Sequence, residues 1–542
     1  FTSAAAQFVN CIFALNTSSA SDTTVGVPEW SGSAVKPTFT ACSFPTAVAT
    51  NAYIGGDCLL IDPVFKDADN NDFHPLSSSQ TKDAGVSYEG LAAFDLDGSN
   101  RVSGASVDIG CYELDSSAFT VAFEGPATGN GFVGDAAVFT ASVSGLEEGA
   151  EVSYAWIFTN RLGGTTAKTG AVVEFTPTVA GDYSVSVTAS VSGDGSVSFS
   201  ETDCFFACPR NLYVKEPGPA NDAAAAFPYD GWACASTNLH ETVAMAIEGT
   251  KIWLDAGTFP VTSRLDITRA LTLTGKGIDQ TVVRARHTRA SLLYVNDPDA
   301  CVSRMTLSGF RSDVEVLARG AVVIDSRGGT IEECRVTDNR YTGASINHAR
   351  GIGVTLNGAA ARVNRCIIDR NAGSMSQYSD YGGGVYGIAG VIENSLICCN
   401  TNYAGGGIAV GGTFTIRNCT VAANLAQASV TTSLHNSYGG GGIFVVSGTA
   451  NVQNTIFFGN ACGIATEGLE YLAEWRAVGT LNLVNCSMTP LIALPAGATD
   501  CVTEDTLFQD YAADNFRLTS NSPCRDAGVY AAWMDGALDL DG

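Results

Sequence analysis

The sequence predicts an all-β chain, a right-handed parallel β-helix solenoid in two portions with a small antiparallel sandwich between them. Three observations predict it. One strand pattern recurs six times in the second half of the chain. Residues 116–210 alternate apolar and polar in a different manner. Residues 1–98 return as a second copy at about 445–542.

The six-fold pattern is centred on Cys334, Cys366, Ser395, Cys419, Thr455 and Cys486. Three positions earlier stands an aliphatic residue: Ile331, Val363, Ile392, Ile416, Val452 or Leu483. Two positions later stands Val336, Ile368, Ile397, Val421, Phe457 or Met488. Asn394, Asn418, Asn454 and Asn485 come immediately before the small residue, with Glu333 and Arg365 in the first two coils. Asn339, Asn371, Asn400, Asn424 and Asn460 come five after it. Glycine runs at 382–384, 405–407 and 439–442 open short strands upstream. The spacings of 32, 29, 24, 36 and 31 residues vary while the pattern holds, as in stacked coils with insertions at a corner. Asn tolerates left-handed backbone at tight corners, and Asn side chains stacked about 4.8 Å apart can bond along the stack. The chain is therefore expected to carry two Asn ladders and a Cys/Ser/Thr ladder.

The long repeat is equally direct. Phe65, Asp67, Phe73 and Asp83–Val86 recur as Phe508, Asp510, Phe516 and Asp526–Val529, at an offset of 443. Trp30, Cys42, Cys58 and Asp95–Gly98 recur as Trp475, Cys486, Cys501 and Asp539–Gly542. The expected organisation is the C-terminal portion of a β-helix at 1–115, a sandwich at 116–210, and a second, capped β-helix at 211–542 that stops within its closing motif. Such a chain reads as a window on a tandem array, with the polypeptide running on in both directions.

Composition narrows the function classes. Acidic residues outnumber basic ones 55 to 29, the net charge is −26, and no Lys/Arg cluster exists. Nucleic-acid binding and docking on anionic membranes are excluded on that balance. No apolar run approaches the roughly 18 residues of a membrane span. Fifty-nine glycines suit many short strands and turns. Seventeen cysteines would be unusual as purely structural residues in a reducing cytosol, which points to an extracellular or cell-surface setting.

The middle block supplies Val138–Val143, Tyr154–Phe158 and Tyr183–Val187 as strands, with Trp156 as a core residue and Tyr183 at a strand corner, the arrangement of an immunoglobulin-like sandwich. It resembles a polycystic-kidney-disease-type domain. Thr159 and Asn160 stand where such domains carry Gly-Asp-Gly, and Val185 stands where an antibody domain has its second Cys. The glycine and Asn ladders resemble the β-helix repeats of the pectate-lyase superfold and of bacterial polymorphic outer-membrane proteins. Asn211–Val214, Pro228–Trp232 and Ile252–Phe259 resemble the N-terminal cap of such secreted domains, with Leu239, Val243 and Ile247 on the apolar face of a capping helix. The resemblance implies fold and a bacterial source, but no single job.

Candidate chemistry is sparse. Asp338 and Asp369 are read at one register of neighbouring coils, with Arg340 and Arg370 beside them; they are either a catalytic pair or a charge-balanced solvated face. Asp95, Asp97 and Gly98 superficially resemble a calcium loop, as do Asp67, Asp69, Asn71 and Asp72, so calcium is the one cofactor considered and none is required. Tyr378, Tyr381, Tyr403 and Tyr438 precede the glycine runs and either stack on sugar rings or cover the core edge. Cys204 and Cys208 are the expected disulfide. Repetition without a convergent site favours a non-enzymatic structural or adhesive repeat module of a very large protein, forming filament-like arrays. Its partners would be further copies and polysaccharide. A polysaccharide lyase or hydrolase is the alternative.

Overall fold

The computed structural model describes residues 7–14, 38–44, 57–61, 63–76, 79–102, 106–114, 119–146, 150–191, 195–286, 290–312, 320–342, 350–373, 380–427, 439–463, 471–490 and 492–541. The chain divides into two compact units, Phe1–Ala207 and Cys208–Gly542.

The second unit is a parallel β-helix. One wall is a nine-stranded sheet from Gly257–Val261 to Ser487–Met488, every strand parallel to the next. A sixteen-stranded sheet forms two further limbs, which merge where Val385–Glu393 and Ile408–Arg417 continue through the bend. The repeat pattern accounts for this. Ile331, Val363, Ile392 and Ile416 on one wall and Val336, Ile368, Ile397 and Val421 on the next all point inward and are buried. Burying such a side chain is worth about 1.5–3 kcal/mol, and stacking coil on coil makes the interior one continuous core.

The two Asn ladders form by different means. Nδ2 of Asn339, Asn371, Asn400 and Asn424 donates to Oδ1 of the next ladder residue at 3.0, 2.9, 3.1 and 2.9 Å. The same Oδ1 accepts the preceding residue's backbone N–H at 2.9–3.3 Å. These buried amides thus find the partners that burial demands. Asn394, Asn418, Asn454 and Asn485 instead sit at corners with φ of 49–51°, in the left-handed region where Asn is tolerated best. Their Nδ2 bonds run Asn394 to Asn364, Asn418 to Asn394 and Asn454 to Asn418 at 3.0–3.3 Å.

The glycine runs make room for the first ladder. A Cβ on Gly407 would lie 2.7 Å from the Gly442 carbonyl oxygen and 2.9 Å from Asn424 Nδ2. One end of the solenoid carries the helix Leu239–Met245, capped by Asn238, whose side chain accepts the Glu241 N–H at 3.2 Å. Its buried Leu239 and Val243 pack toward Asn211–Val214, Gly257–Val261 and Leu265–Ile267, while Ile247 is buried two residues past the helix end.

The closing segment does not lie over the other end. It returns along the outside of the nine-stranded wall in two passes. The hairpin Phe508–Asp510/Asn515–Leu518 brings Tyr511 to Gly459, Asp514 to Arg370, and Phe516 against Cys398 and Ala422. The chain then returns to Asn454 at Val529, places the Trp533 ring 3.8 Å from the Arg417 guanidinium, and ends with Leu540 and Asp541 beside Arg304, Glu333 and Arg365.

The first unit contains the sandwich. A five-stranded sheet orders Thr165–Thr169, Val152–Asn160, Gly181–Val191, Gly195–Cys208 and Asn130–Phe132, and a three-stranded sheet orders Val172–Phe175, Ala137–Ser144 and Thr120–Glu124. Trp156 is fully buried, with Nε1 donating to the Gly170 carbonyl at 2.8 Å. The Tyr183 hydroxyl closes the strand corner by bonding both the N–H and the C=O of Val179 at 3.1 Å. The described residues between 7 and 114 repeat in miniature the end of the solenoid, with parallel rungs Gln7–Val9 on Thr38–Thr40 and Ser43–Phe44 on Leu59–Leu60. The hairpin Phe65–Asp67/Asp72–Pro75 is built as its counterpart is: Asp67 and Asp510 each cap a one-turn 3₁₀ helix that ends in a left-handed residue, Asn71 or Asp514.

Candidate functional site

The carboxylates singled out from the sequence do not share a register. Thr337 pairs with Asp369, so Asp338 stands opposite Arg370. The one-residue slip leaves Asp369 on the strand and Asp338 on the corner beyond it, so the shared register expected of them does not hold. Asp338 is exposed on a left-handed corner, at φ 55°. Asp369 is 1% exposed.

Asp369 is fully engaged. Arg335 meets it with two parallel bonds, Nε to Oδ1 at 3.0 Å and Nη2 to Oδ2 at 2.6 Å, and Arg370 Nη1 also bonds Oδ2. The fork-to-fork contact holds the Arg335 pKa above its ordinary value. Arg370 reaches on with Nη2 to Asp514 of the closing hairpin at 2.9 Å, and the Cys399 thiol donates to the same carboxylate at 3.5 Å. Both carboxylate oxygens are thus engaged by guanidinium groups of the chain itself. The group fastens the hairpin to the wall.

Tyr381 and Tyr403 cover core. Tyr403 is buried in a cluster with Ala404, Ala426, Phe444 and Cys462, and Tyr381 packs on it, its ring edge-on to Phe444 at 5.6 Å. Tyr378 and Tyr438 lie outside the described residues. Cys204 and Cys208 do not meet. They stand four apart on one extended strand, roughly 13 Å at about 3.3 Å per residue, beyond the reach of a disulfide.

Asp95 is occupied by its own turn. Its Oδ1 accepts the N–H groups of Asp97 and Ser99 at 3.0 and 2.8 Å, and Oδ2 accepts that of Glu113 at 2.9 Å. Asp97 bonds His74 Nε2 at 2.7 Å, and Asp72 bonds the other ring nitrogen, Nδ1. The two carboxylates raise the His74 pKa, Asp72 most. Among the described residues no three His, Cys, Asp or Glu side chains converge as a metal site would need.

Sequence reasoning missed a cavity of about 570 Å³ in the first unit, lined by Phe65, Phe73, Tyr88, Tyr112 and Arg101 among others. Arg101 is 8% exposed; Nη2 donates to the Gly110 carbonyl, and Nη1 lies 3.7 Å from Glu113. The signal was available in the comparison of the two copies. Ala14, on the cavity wall, has Phe458 as its counterpart, and Ala68 has Tyr511. In the second copy the Phe458 ring stands edge-on, at 5.4 Å, to both Tyr511 and Phe508 of the hairpin.

With this geometry in hand, comparison with known proteins identifies one part of the chain. Residues 123–198 match the PKD domain. The PKD domain is thus the sandwich, with Trp156 and Tyr183 as its core and corner. No curated protein gives a match. Among solved structures the chain is similar to the pectate lyase Pel9A, at 12% identity and a TM-score of 0.34 over 60% of this chain and 93% of that one. It is also similar to the Azotobacter vinelandii mannuronan C-5 epimerase AlgE4 A-module, at 11% and 0.22 over 46% and 85%. A third is the catalytic unit of the GH87 α-1,3-glucanase from Streptomyces thermodiastaticus strain HF3-3, at 12% and 0.27 over 69% and 80%. At these values the likeness says nothing of chemistry, and the β-helix stands on its own strand pairing.

Proposed function

We propose that this chain is a non-enzymatic structural or adhesive module of a very large secreted or cell-surface protein, built from tandem β-helix and PKD units. The observation that carries this reading is the state of Asp369. The one buried acid of the predicted pair is tied up by Arg335 and Arg370, and through Arg370 it anchors the chain's own hairpin to the wall. The closing segment therefore occupies the face on which the acids were sought. Both copies also pin that segment with the same clasp, Asn10 on Val86 and Asn454 on Val529, as repeated structural parts do. Further copies, in the same or neighbouring chains, are the partners this implies, and stacked copies would give filament-like arrays. The aromatic cavity of the first unit suits an adhesive role, since ring faces beside a guanidinium are what a glycan uses.

The test is an assay of reducing-end release and of unsaturated-product absorbance on polyuronates and α-glucans, with and without calcium. Retention on a polysaccharide without turnover supports an adhesive module. Turnover that disappears in Asp369→Asn would replace it with the lyase or hydrolase reading.

A further inference from the structure

The Cys/Ser/Thr ladder ends in a pair of thiols. Thr499 and Val502 bridge in parallel to Val484 and Ser487, with Thr499 N–H donating to Leu483 at 2.9 Å and Val502 N–H to Cys486 at 2.8 Å. Cys501 therefore sits directly on Cys486, one rung on. Their Cα atoms are separated by the inter-strand spacing of about 4.8 Å, inside the roughly 4.4–6.8 Å that a disulfide spans. The two side chains are set alike on their rungs, each thiol donating to the carbonyl two residues back, Cys486 to Val484 at 3.4 Å and Cys501 to Thr499 at 3.3 Å. Cys486 is buried, whereas Cys501 is partly exposed because the stack ends with it.

Other rungs of this ladder lack that combination. Cys334 and Cys366 are stacked but both are buried, and Cys419 lies between Ser395 and Thr455. The first copy retains the pair: Cys42 and Cys58, counterparts of Cys486 and Cys501, lie on adjacent rungs, since Ser43 pairs with Leu59. It does so although a neighbouring ladder position differs between copies, Cys11 against Thr455.

We propose that Cys486 and Cys501 are a modification site, oxidised to a disulfide that staples the last rung to the solenoid. The oxidant is a low-molecular-weight disulfide of the glutathione type. Cys501 is the entry point, because it is the partly exposed member of the pair and the neighbouring Cys486 thiol lowers its pKa below the ordinary thiol value. The Cys501 thiolate attacks one oxidant sulfur and expels a thiolate, leaving a mixed disulfide. Cys486 loses its proton to that leaving thiolate and attacks the Cys501 sulfur, and the second half of the oxidant departs as a thiolate that takes up the proton Cys501 had released. Two protein thiols are oxidised and one small disulfide is reduced to two thiols. The staple holds a terminal rung that is otherwise an open strand edge.

The experiment uses the full 542-residue chain, treated with oxidised glutathione at neutral pH, alkylated, and digested with trypsin. No Lys or Arg lies between Arg476 and Arg517, so both cysteines fall in the single peptide 477–517. The expected peptide is unalkylated and lighter by two hydrogen atoms, and takes up two alkyl groups after reduction. The oxidised protein should melt a few degrees higher than the reduced one. Cys486→Ser places a hydroxyl where Ser395 already carries one in this ladder, so the variant keeps its fold and should lose the oxidant-dependent rise, as should Cys501→Ser. Alkylation of both cysteines in the oxidised protein, a mixed disulfide that persists on Cys501, bonding of either to another cysteine, or an undiminished rise in both variants would each overturn the proposal.

Discussion

Asn454 and Val529 clasp each other across 75 residues of chain: Asn454 Oδ1 accepts the Val529 N–H at 3.0 Å, and Nδ2 donates to the Val529 carbonyl at 2.8 Å. Asn10 and Val86 make the same two bonds in the first copy, at 2.9 and 2.8 Å. The side chain of a corner residue thus mimics a strand and pins the closing segment to the coil. Asn454→Gly keeps the left-handed corner and removes both bonds, which should cost about 1–3 kcal/mol at roughly 1 kcal/mol per bond, with a further bond to Asn418 lost at the same time. Asn454→Ala should cost about 1 kcal/mol more, because it adds a Cβ at φ 49° without Asn's local bonding. Denaturant melts of the two variants check both steps.

His74 predicts a pH dependence confined to the first copy. Asp72 and Asp97 raise its pKa above the ordinary histidine value of about 6.5, so the folded state binds the proton more tightly than the unfolded chain. The stabilisation is complete below about 6.5 and is lost as pH rises through the raised value. The second copy has Arg517 at this position, bonding Asp541 at 2.5 and 3.1 Å. His74→Arg should therefore keep the bridge and flatten the dependence. NMR titration of the ring, with thermal melts from pH 6 to 9, checks it; a ring that titrates at or below the ordinary value would remove the basis for the claim.

Gly407 predicts a sharp steric penalty. Gly407→Ala puts a methyl group 2.7 Å from a backbone oxygen and 2.9 Å from Asn424 Nδ2, contacts that only backbone movement can relieve. The loss should exceed the roughly 1–3 kcal/mol typical of overpacking, since the buried ladder is broken as well. The readout is the denaturation midpoint, compared with Gly231→Ala, where an added Cβ meets nothing within 4 Å.

The solenoid was legible because its period is fixed by burial: one slip moves Val336 or Ile368 out of the core, so the pattern survives insertions. The same logic corrects the reading of Asp338 and Asp369. Counted from Val336 and Ile368, or back from Asn339 and Asn371, Asp338 falls one place beyond Asp369, as the pairing of Thr337 with Asp369 shows. The Trp156 core and Tyr183 corner were readable, because each role needs one residue type at one place. The flank-hugging path of residues 508–541 was not. It depends on long-range partners such as Arg370 with Asp514 and Arg417 with Trp533, which no local pattern encodes. Glu474, the end of the inner ladder, was invisible for a related reason. It is a single acid of another residue type, 14 residues past Asn460, where the 24–36-residue spacing of the ladder does not point.

Glu474 closes the ladder as an acceptor. Asn460 Nδ2 donates to Oε2 at 2.5 Å, the Asn460 N–H donates to Oε1 at 3.3 Å, and Thr489 Oγ1 also donates to Oε1. Burial raises the carboxyl pKa above the ordinary glutamate value of about 4.3, against these hydrogen bonds, which pull it down. The sign is opposite to that of a salt-bridged acid. The folded state holds the proton more tightly, so stability falls as pH rises from about 4.3 through the raised value, and the charged form is the less stable one at neutral pH. Glu474→Gln supplies an oxygen that can take both Asn460 donors, as Asn Oδ1 does on the rungs below, without a buried charge. It should be at least as stable as the wild type at pH 7 and should lose the slope. Glu474→Ala should instead be destabilised by about 1–3 kcal/mol, because it strands the Asn460 amide in the core. Thermal melts of the three proteins from pH 4 to 8 separate the cases, and a Gln variant that is less stable than the Ala variant would show that the ladder needs the negative charge.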